Sequence, residues 1–141
     1  MMITIIFIIL ALTVIFTTKL SPETVKLRKH YNKFLDAVRT NEIPEKFKVL
    51  RTPVIIHTYP SFGEEIGWNL NKGHEIGICK GPLNEMFHVL VHELAHSTVE
   101  EYDHSDAFWK NCEELKSLCV EWGLYTYIRK PTLYCKKYIK D

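Results

Sequence analysis

The chain has 141 residues, of which 46% are hydrophobic and 25% charged, and its formal net charge is +1. This length and composition provide one hydrophobic core but not two full domains. The near-neutral charge gives no overall field that would attract a nucleic acid, so no nucleic-acid partner is predicted. The sequence also lacks a fixed internal period, which argues against repeat architectures.

The amino-terminal segment is the most apolar part of the sequence. Residues 1–18 contain no charged side chain, and Lys19 closes the run. Since about 18 to 20 apolar residues can span a bilayer, we predict a transmembrane anchor over residues 1–19 and a second unit over residues 20–141. A cleaved secretory signal is the competing interpretation. It is disfavoured because no basic residue precedes the apolar run and no small-residue cleavage pattern follows it.

Basic residues dominate the stretch behind the apolar segment. It contains one acidic residue, Glu23, against five basic ones: Lys19, Lys26, Arg28, Lys29 and Lys33. Positive flanks of a membrane span tend to stay in the cytosol. The sequence therefore predicts a single-pass membrane protein whose globular part is cytoplasmic.

The first predicted elements after this segment are a helix and a group of short strands. Ser21 as N-cap and Pro22 at the first helical position begin an amphipathic helix that ends near Asn41. The segments "FKVLRTPVIIHTY" and "EIGWNLNKGHEIGICK" are rich in β-branched and aromatic residues, which predicts short strands. The "NKG" sequence at residues 71–73 predicts a hairpin turn between two of them.

Two further helices are predicted in the second half of the chain. The segment "GPLNEMFHVLVHELAHSTVEE" carries an apolar stripe at helical spacing. The segment "SDAFWKNCEELKSLCVEWGLY" carries another, with Ser105 as its N-cap and Gly123 as its stop. The tail "TYIRKPTLYCKKYIKD" receives no assignment.

The four cysteines are predicted to be buried, reduced thiols. Cys112 and Cys119 lie seven residues apart on one predicted helix, hence about 10 Å apart along its axis, and cannot bond to each other. No C-x-x-C pair is present, which argues against a thiolate zinc site. If the apolar segment were a cleaved signal instead, the cysteines would become disulfide candidates.

The strongest chemical signal is the H-E-x-x-H sequence formed by His92, Glu93 and His96. Its two histidines lie one helical turn apart and can bind one metal ion, and Glu93 can act as general base toward a metal-bound water. A catalytic zinc needs a third protein ligand. His104, seven residues beyond His96, is our choice, and the alternatives are the nearby carboxylates Glu100, Glu101, Asp103, Glu113 and Glu114. His88 lies on the same helix face, either in a substrate cleft or as a half-exposed helix residue.

The stretch "FHVLVHELAHSTVEEYDHSDAFW", followed by a helix and "WGLY", resembles the WLM-type and SprT-like zinc metallopeptidases, and is most similar to the short WLM-like proteins of large DNA viruses. The resemblance covers about residues 45 to 138. It implies an α+β, zincin-like domain in which a small mixed or antiparallel sheet packs on the H-E-x-x-H helix and flanking helices. It also implies zinc ligands His92, His96 and His104, the catalytic base Glu93, and an edge strand "HEIGICK" to which a peptide could add.

The sequence therefore predicts a membrane-anchored zinc metallopeptidase that hydrolyses a protein or peptide substrate with a zinc-activated water and Glu93 as general base. Tyr102, Tyr127 or Tyr134 could donate a hydrogen bond to the transition state, and the sequence does not select among them. Two alternatives stay open: an inactive metal-binding adaptor that holds a peptide, and a zinc hydrolase of a non-peptide bond. The substrate and the oligomeric state are not predicted.

Overall fold

The computed structural model describes residues 1–17, 20–61, 63–72 and 74–141. The fold is α+β. Its helices are α1 (Met2–Thr17), α2 (Pro22–Thr40), α3 (Leu83–Ala95) and α4 (Asp106–Glu121), with 3-10 segments at Glu45–Arg51 and His96–Thr98. Its strands are β1 (Ile55–Tyr59), β2 (Gly67–Leu70), β3 (Glu75–Cys79), β4 (Thr132–Tyr134) and β5 (Lys137–Ile139).

The larger sheet has three strands with β3 in the middle. Strand β1 pairs with β3 in parallel, and β2 pairs with it antiparallel. The predicted hairpin is confirmed, because β2 and β3 pair antiparallel on either side of the turn, and the turn residues Asn71 and Lys72 have φ of 52° and 54°; Gly73 lies outside the described residues. The prediction that "HEIGICK" forms an edge strand is wrong, because β1 covers its other side.

Helix α3 lies at the centre of the core. It contacts β2 and β3 on one side and α2 and α4 on the others. Fully buried Phe34, Phe87 and Leu90 fill the space between these elements. The helix is therefore held by packing on several sides, which gives the polar residues along it fixed positions.

The predicted helix boundaries are confirmed by their caps. The Ser21 hydroxyl accepts a hydrogen bond from the Thr24 amide, and Asn41 caps the other end of α2. The Ser105 hydroxyl accepts from the Phe108 amide at the start of α4. Gly123 follows that helix with φ of 73°, a conformation that glycine adopts without strain.

Two segments have a secondary structure that the sequence did not predict. Residues 47–51 form part of a 3-10 segment, in which Phe47 and Leu50, three apart, both point into the core, as one 3-10 turn requires. The unassigned tail forms the hairpin β4–β5. Its turn residues Cys135 and Lys136 have φ of 47° and 65°, at positions where asparagine and glycine are the usual signal.

The prediction of a transmembrane anchor is wrong, and so is the single-pass location that rested on it. Among the residues that the structure describes, no helix combines the length and the apolar character needed to cross a bilayer. Helix α1 has 16 residues, which corresponds to about 24 Å at its helical rise, against roughly 30 Å of hydrocarbon. Lys19, which was expected to close the span, lies outside the described residues.

The prediction of four reduced cysteines is also wrong in part. Cys79 and Cys135 form a disulfide that joins the end of β3 to the β4–β5 turn. Cys112 and Cys119 are free and buried, as predicted. Disulfides persist mainly in oxidising compartments, which also disagrees with the predicted cytoplasmic location.

Removing this disulfide is expected to destabilise the fold. The bond closes a loop between positions 56 residues apart, and chain-entropy arguments give about 4 kcal/mol of the unfolding free energy for such a loop. Urea unfolding of the full chain with and without reductant measures the effect. The double variant Cys79→Ser/Cys135→Ser should match the reduced protein and be insensitive to reductant; equal stability of the native and double-variant proteins would contradict the prediction.

Candidate metal centre

The two histidines of the H-E-x-x-H sequence lie on the last turn of α3. His92 is within the helix and His96 caps its end in a helical conformation. Their ring centroids are 5.2 Å apart. Because residues four apart share one helix face, both imidazoles project toward the same cavity.

The chain then returns His104 to these two side chains. His104 Nε2 lies 3.1 Å from His92 Nε2. One ligand atom from each of His92, His96 and His104 lies within 4.8 Å of the other two, so the group could hold a metal ion. Two nitrogens bound to one zinc ion at tetrahedral geometry lie about 3.3 Å apart, and the 3.1 Å between His92 Nε2 and His104 Nε2 is close to that value.

Lys72, in the β2–β3 turn, secures the link that carries His104. Its ammonium donates to the carbonyl oxygens of Val99 (2.6 Å) and Glu101 (2.5 Å). In return, the Ser97 hydroxyl donates to the Lys72 carbonyl oxygen at 2.8 Å. Sequence reasoning missed Lys72, and no local signal marks it, because its partners lie 27 and 29 residues away.

An aromatic pair at the start of α4 supports the three imidazoles. The fully buried ring of Phe108 stacks on His96 with centroids 4.3 Å apart. Trp109 stacks on His104 at 5.4 Å. The Ser105 cap fixes the first turn of α4, so these rings reach the imidazoles from a defined direction.

The environment favours the neutral form of the two imidazoles on α3, His92 and His96. Burial, followed by the neighbouring His96 and His104, lowers the pKa of His92 to about 3. Burial and His104 also lower the pKa of His96. A neutral imidazole has the free lone pair that a metal ligand needs.

Glu93 is buried beside this group. The residue is 8% exposed, and burial, with a smaller contribution from Glu65, raises its pKa to about 7. Strand β2 approaches it closely, because a Cβ on Gly67 would lie 2.5 Å from Val89 Cγ1 and 3.1 Å from Glu93 Oε1. The side-chain amide of Asn69 also donates a hydrogen bond to the backbone carbonyl oxygen of Glu93 at 2.8 Å.

These groups open onto one cavity of about 460 Å³. Its lining includes Glu93, the three histidines and strand β2. Of the three tyrosines considered as hydrogen-bond donors to the transition state, Tyr102 lines this cavity. The Tyr134 hydroxyl instead donates to the Cys79 carbonyl oxygen. Within the described ranges, the carboxylates considered as alternative ligands do not join the group of His92, His96 and His104 that could hold a metal ion.

Comparison with known proteins leaves the family open. No protein-family model matches the chain, and no curated protein matches it. Among solved structures, the chain is similar to the crystal structure of the metallopeptidase zymogen of Pyrococcus abyssi abylysin, with 20% identity over 67% of this chain and 93% of that chain. The TM-score of 0.41 is too low to establish a shared fold. Membership of the WLM-type or SprT-like metallopeptidases therefore stays a prediction.

Proposed function

We propose that this protein is a zinc metallopeptidase. The observation that carries the proposal is the convergence of three imidazoles on one point, beside a buried carboxylate, in an open cavity. A set of three nitrogen ligands leaves one coordination position for solvent or substrate. A purely structural zinc site would need a fourth protein ligand, and none joins the group in the part of the chain that the structure describes.

His92, His96 and His104 would hold the metal, and imidazole donors suit zinc among the common divalent ions. Bound zinc would supply Lewis-acid chemistry, polarising a carbonyl and lowering the pKa of water toward neutrality. Glu93 follows His92 directly and lines the same cavity. It takes the proton of the attacking water and passes it to the amine nitrogen that leaves.

Strand β2 offers a place for an extended peptide. It is an edge strand of the three-stranded sheet, and its residues Gly67, Trp68 and Asn69 line the cavity. An extended chain can add to a sheet edge through backbone hydrogen bonds. A substrate lying along β2 would pass over Glu93, because Gly67 brings the strand close to that side chain.

Removing the metal is expected to abolish hydrolysis, and restoring zinc is expected to recover it. The test uses the full chain, with metal content measured by elemental analysis and cleavage of casein, an unfolded substrate, followed on gels. We expect one zinc per chain, loss of cleavage with a chelator, and recovery with zinc but not with magnesium, which prefers oxygen ligands. Zinc binding without cleavage would favour the adaptor, and failure to bind zinc would refute the proposal.

A further inference from the structure

His88 lies one turn before His92 on α3 and lines the same cavity. Its side chain is 13% exposed, and it does not belong to the metal-binding group. Behind it lies a buried polar network that the proposed chemistry does not use. This network involves Tyr125, Asp141 and Lys116.

The network is organised around the side-chain carboxylate of Asp141. This side chain is 6% exposed. The Lys116 ammonium lies 2.7 Å from its Oδ1. Its Oδ2 accepts hydrogen bonds from the Tyr125 hydroxyl at 2.5 Å and from the Ile128 amide at 2.6 Å. Burial alone would raise the pKa of Asp141, but these donors outweigh it and lower the pKa. Asp141 is therefore an ionised acceptor.

The same contacts determine which nitrogen of His88 carries a proton. His88 Nδ1 lies 2.8 Å from the Tyr125 oxygen and 3.3 Å from Asp141 Oδ1. The Tyr125 hydroxyl has one proton, which it donates in the hydrogen bond to Asp141. Its oxygen can therefore only accept a hydrogen bond from His88. Both neighbours of Nδ1 are thus acceptors, and Nδ1 must be the protonated nitrogen.

His88 is also held neutral, because burial and the nearby Lys116 lower its pKa more than Asp141 raises it. A neutral imidazole with its proton on Nδ1 has a free lone pair on Nε2. Since Nδ1 is committed to the buried network, Nε2 is the ring nitrogen left to act toward the cavity.

We propose that His88 is a substrate-binding residue whose Nε2 accepts a hydrogen bond from a backbone N–H of a bound peptide. The inference deepens the proposed peptidase function and rests on it. His88 lies one helical turn from His92 on α3 and lines the same cavity, so the N–H that it binds belongs to a residue near the scissile bond. Asp141 and Tyr125 are positioning residues, because they act through the His88 tautomer.

The first test is independent of activity and of metal. Long-range proton–nitrogen NMR spectra of the full chain with labelled histidine distinguish a protonated from an unprotonated ring nitrogen. We expect His88 to show a protonated Nδ1 and an unprotonated Nε2. A His88 signal with the proton on Nε2 would overturn the inference.

The second test measures peptide binding in the zinc-loaded Glu93→Gln full chain, by tryptophan fluorescence. The probe is the tightest-binding member of a fixed library of eight-residue peptides. This peptide is resynthesised as a series in which each backbone amide in turn is replaced by an ester, so that each member of the series lacks one N–H. We expect one ester to weaken binding about fivefold, the worth of a neutral hydrogen bond. Adding His88→Leu should abolish the effect of that ester, while His88→Gln, whose amide oxygen can also accept, should retain it.

The outcomes separate this inference from the proposed function. An ester effect that persists unchanged in His88→Leu, or the absence of binding by every library member, overturns the role of His88. If the native chain cuts no substrate but the ester effect depends on His88, the peptidase proposal fails and the peptide-binding role stands. The folded state of His88→Leu is checked by its zinc content and by its match to His88→Gln in the NMR spectrum.

Discussion

Replacing His104 with alanine is expected to release zinc at concentrations at which the native protein retains it. The remaining ligands, His92 and His96, can bind through two nitrogens only. Loss of a residue that only hydrogen-bonds to a metal ligand already lowers metal affinity by roughly 10- to 100-fold. Loss of a direct ligand should therefore lower it further. Competition with a zinc indicator, followed by elemental analysis after gel filtration, measures the change.

Two control variants make the His104 result specific. His74→Ala removes an exposed histidine outside the group of His92, His96 and His104, and it should leave zinc affinity unchanged. Asp103→Asn removes the carboxylate next to His104, one of the alternative ligands, and should also be neutral. If Asp103→Asn releases the metal while His104→Ala retains it, the third ligand has been assigned to the wrong residue.

Much of the site could be predicted from the sequence, because the information for it is local. The H-E-x-x-H residues lie within five positions of one helix, so their common face follows from helical geometry alone. The caps Ser21 and Ser105 likewise act on amides three residues away. Local patterns of this kind do not depend on how the rest of the chain folds.

The sequence favoured His104 as the third ligand but could not exclude the carboxylates around it. Six side chains beyond His96 were candidate ligands, and their distances from the metal depend on the path of the link. That path is held by Lys72 from a distant turn and by the Asn111 side chain, which donates to the Thr98 hydroxyl at 2.9 Å. These are tertiary contacts, and no spacing in the sequence encodes them.

The errors have a similar origin. The edge position of β3 was implied by the family resemblance, and the sequence pattern could not correct it, because such a pattern shows that a strand exists but not which neighbours it pairs with. The Cys79–Cys135 bond joins positions far apart in the chain, and pairing cannot be derived from spacing alone. The transmembrane prediction was based on the apolar composition of residues 1–18, whereas the length of α1 depends on where its backbone hydrogen bonds end.

Replacing Glu93 with glutamine is expected to abolish hydrolysis while the protein keeps its zinc. Glutamine has nearly the same size and shape but cannot accept the proton of the attacking water. General acid–base catalysis contributes typically about 10²- to 10⁴-fold to the rate, so kcat should fall by that factor. Burial raises the pKa of Glu93 to about 7, so the site accommodates the uncharged acid as well as the carboxylate at neutral pH, and an uncharged amide should therefore be tolerated without unfolding.

Glu65→Gln is the matched control for this variant. Glu65 lines the same cavity and is close enough to influence the pKa of Glu93, but it is not adjacent in the sequence to one of the proposed metal ligands. Its loss should leave zinc content unchanged and reduce kcat far less than Glu93→Gln does. Equal losses in the two variants would indicate that the negative charge of the cavity, rather than proton transfer by Glu93, supports catalysis. Full activity of Glu93→Gln would remove Glu93 from the mechanism, because a glutamine at this position has no site to receive the proton.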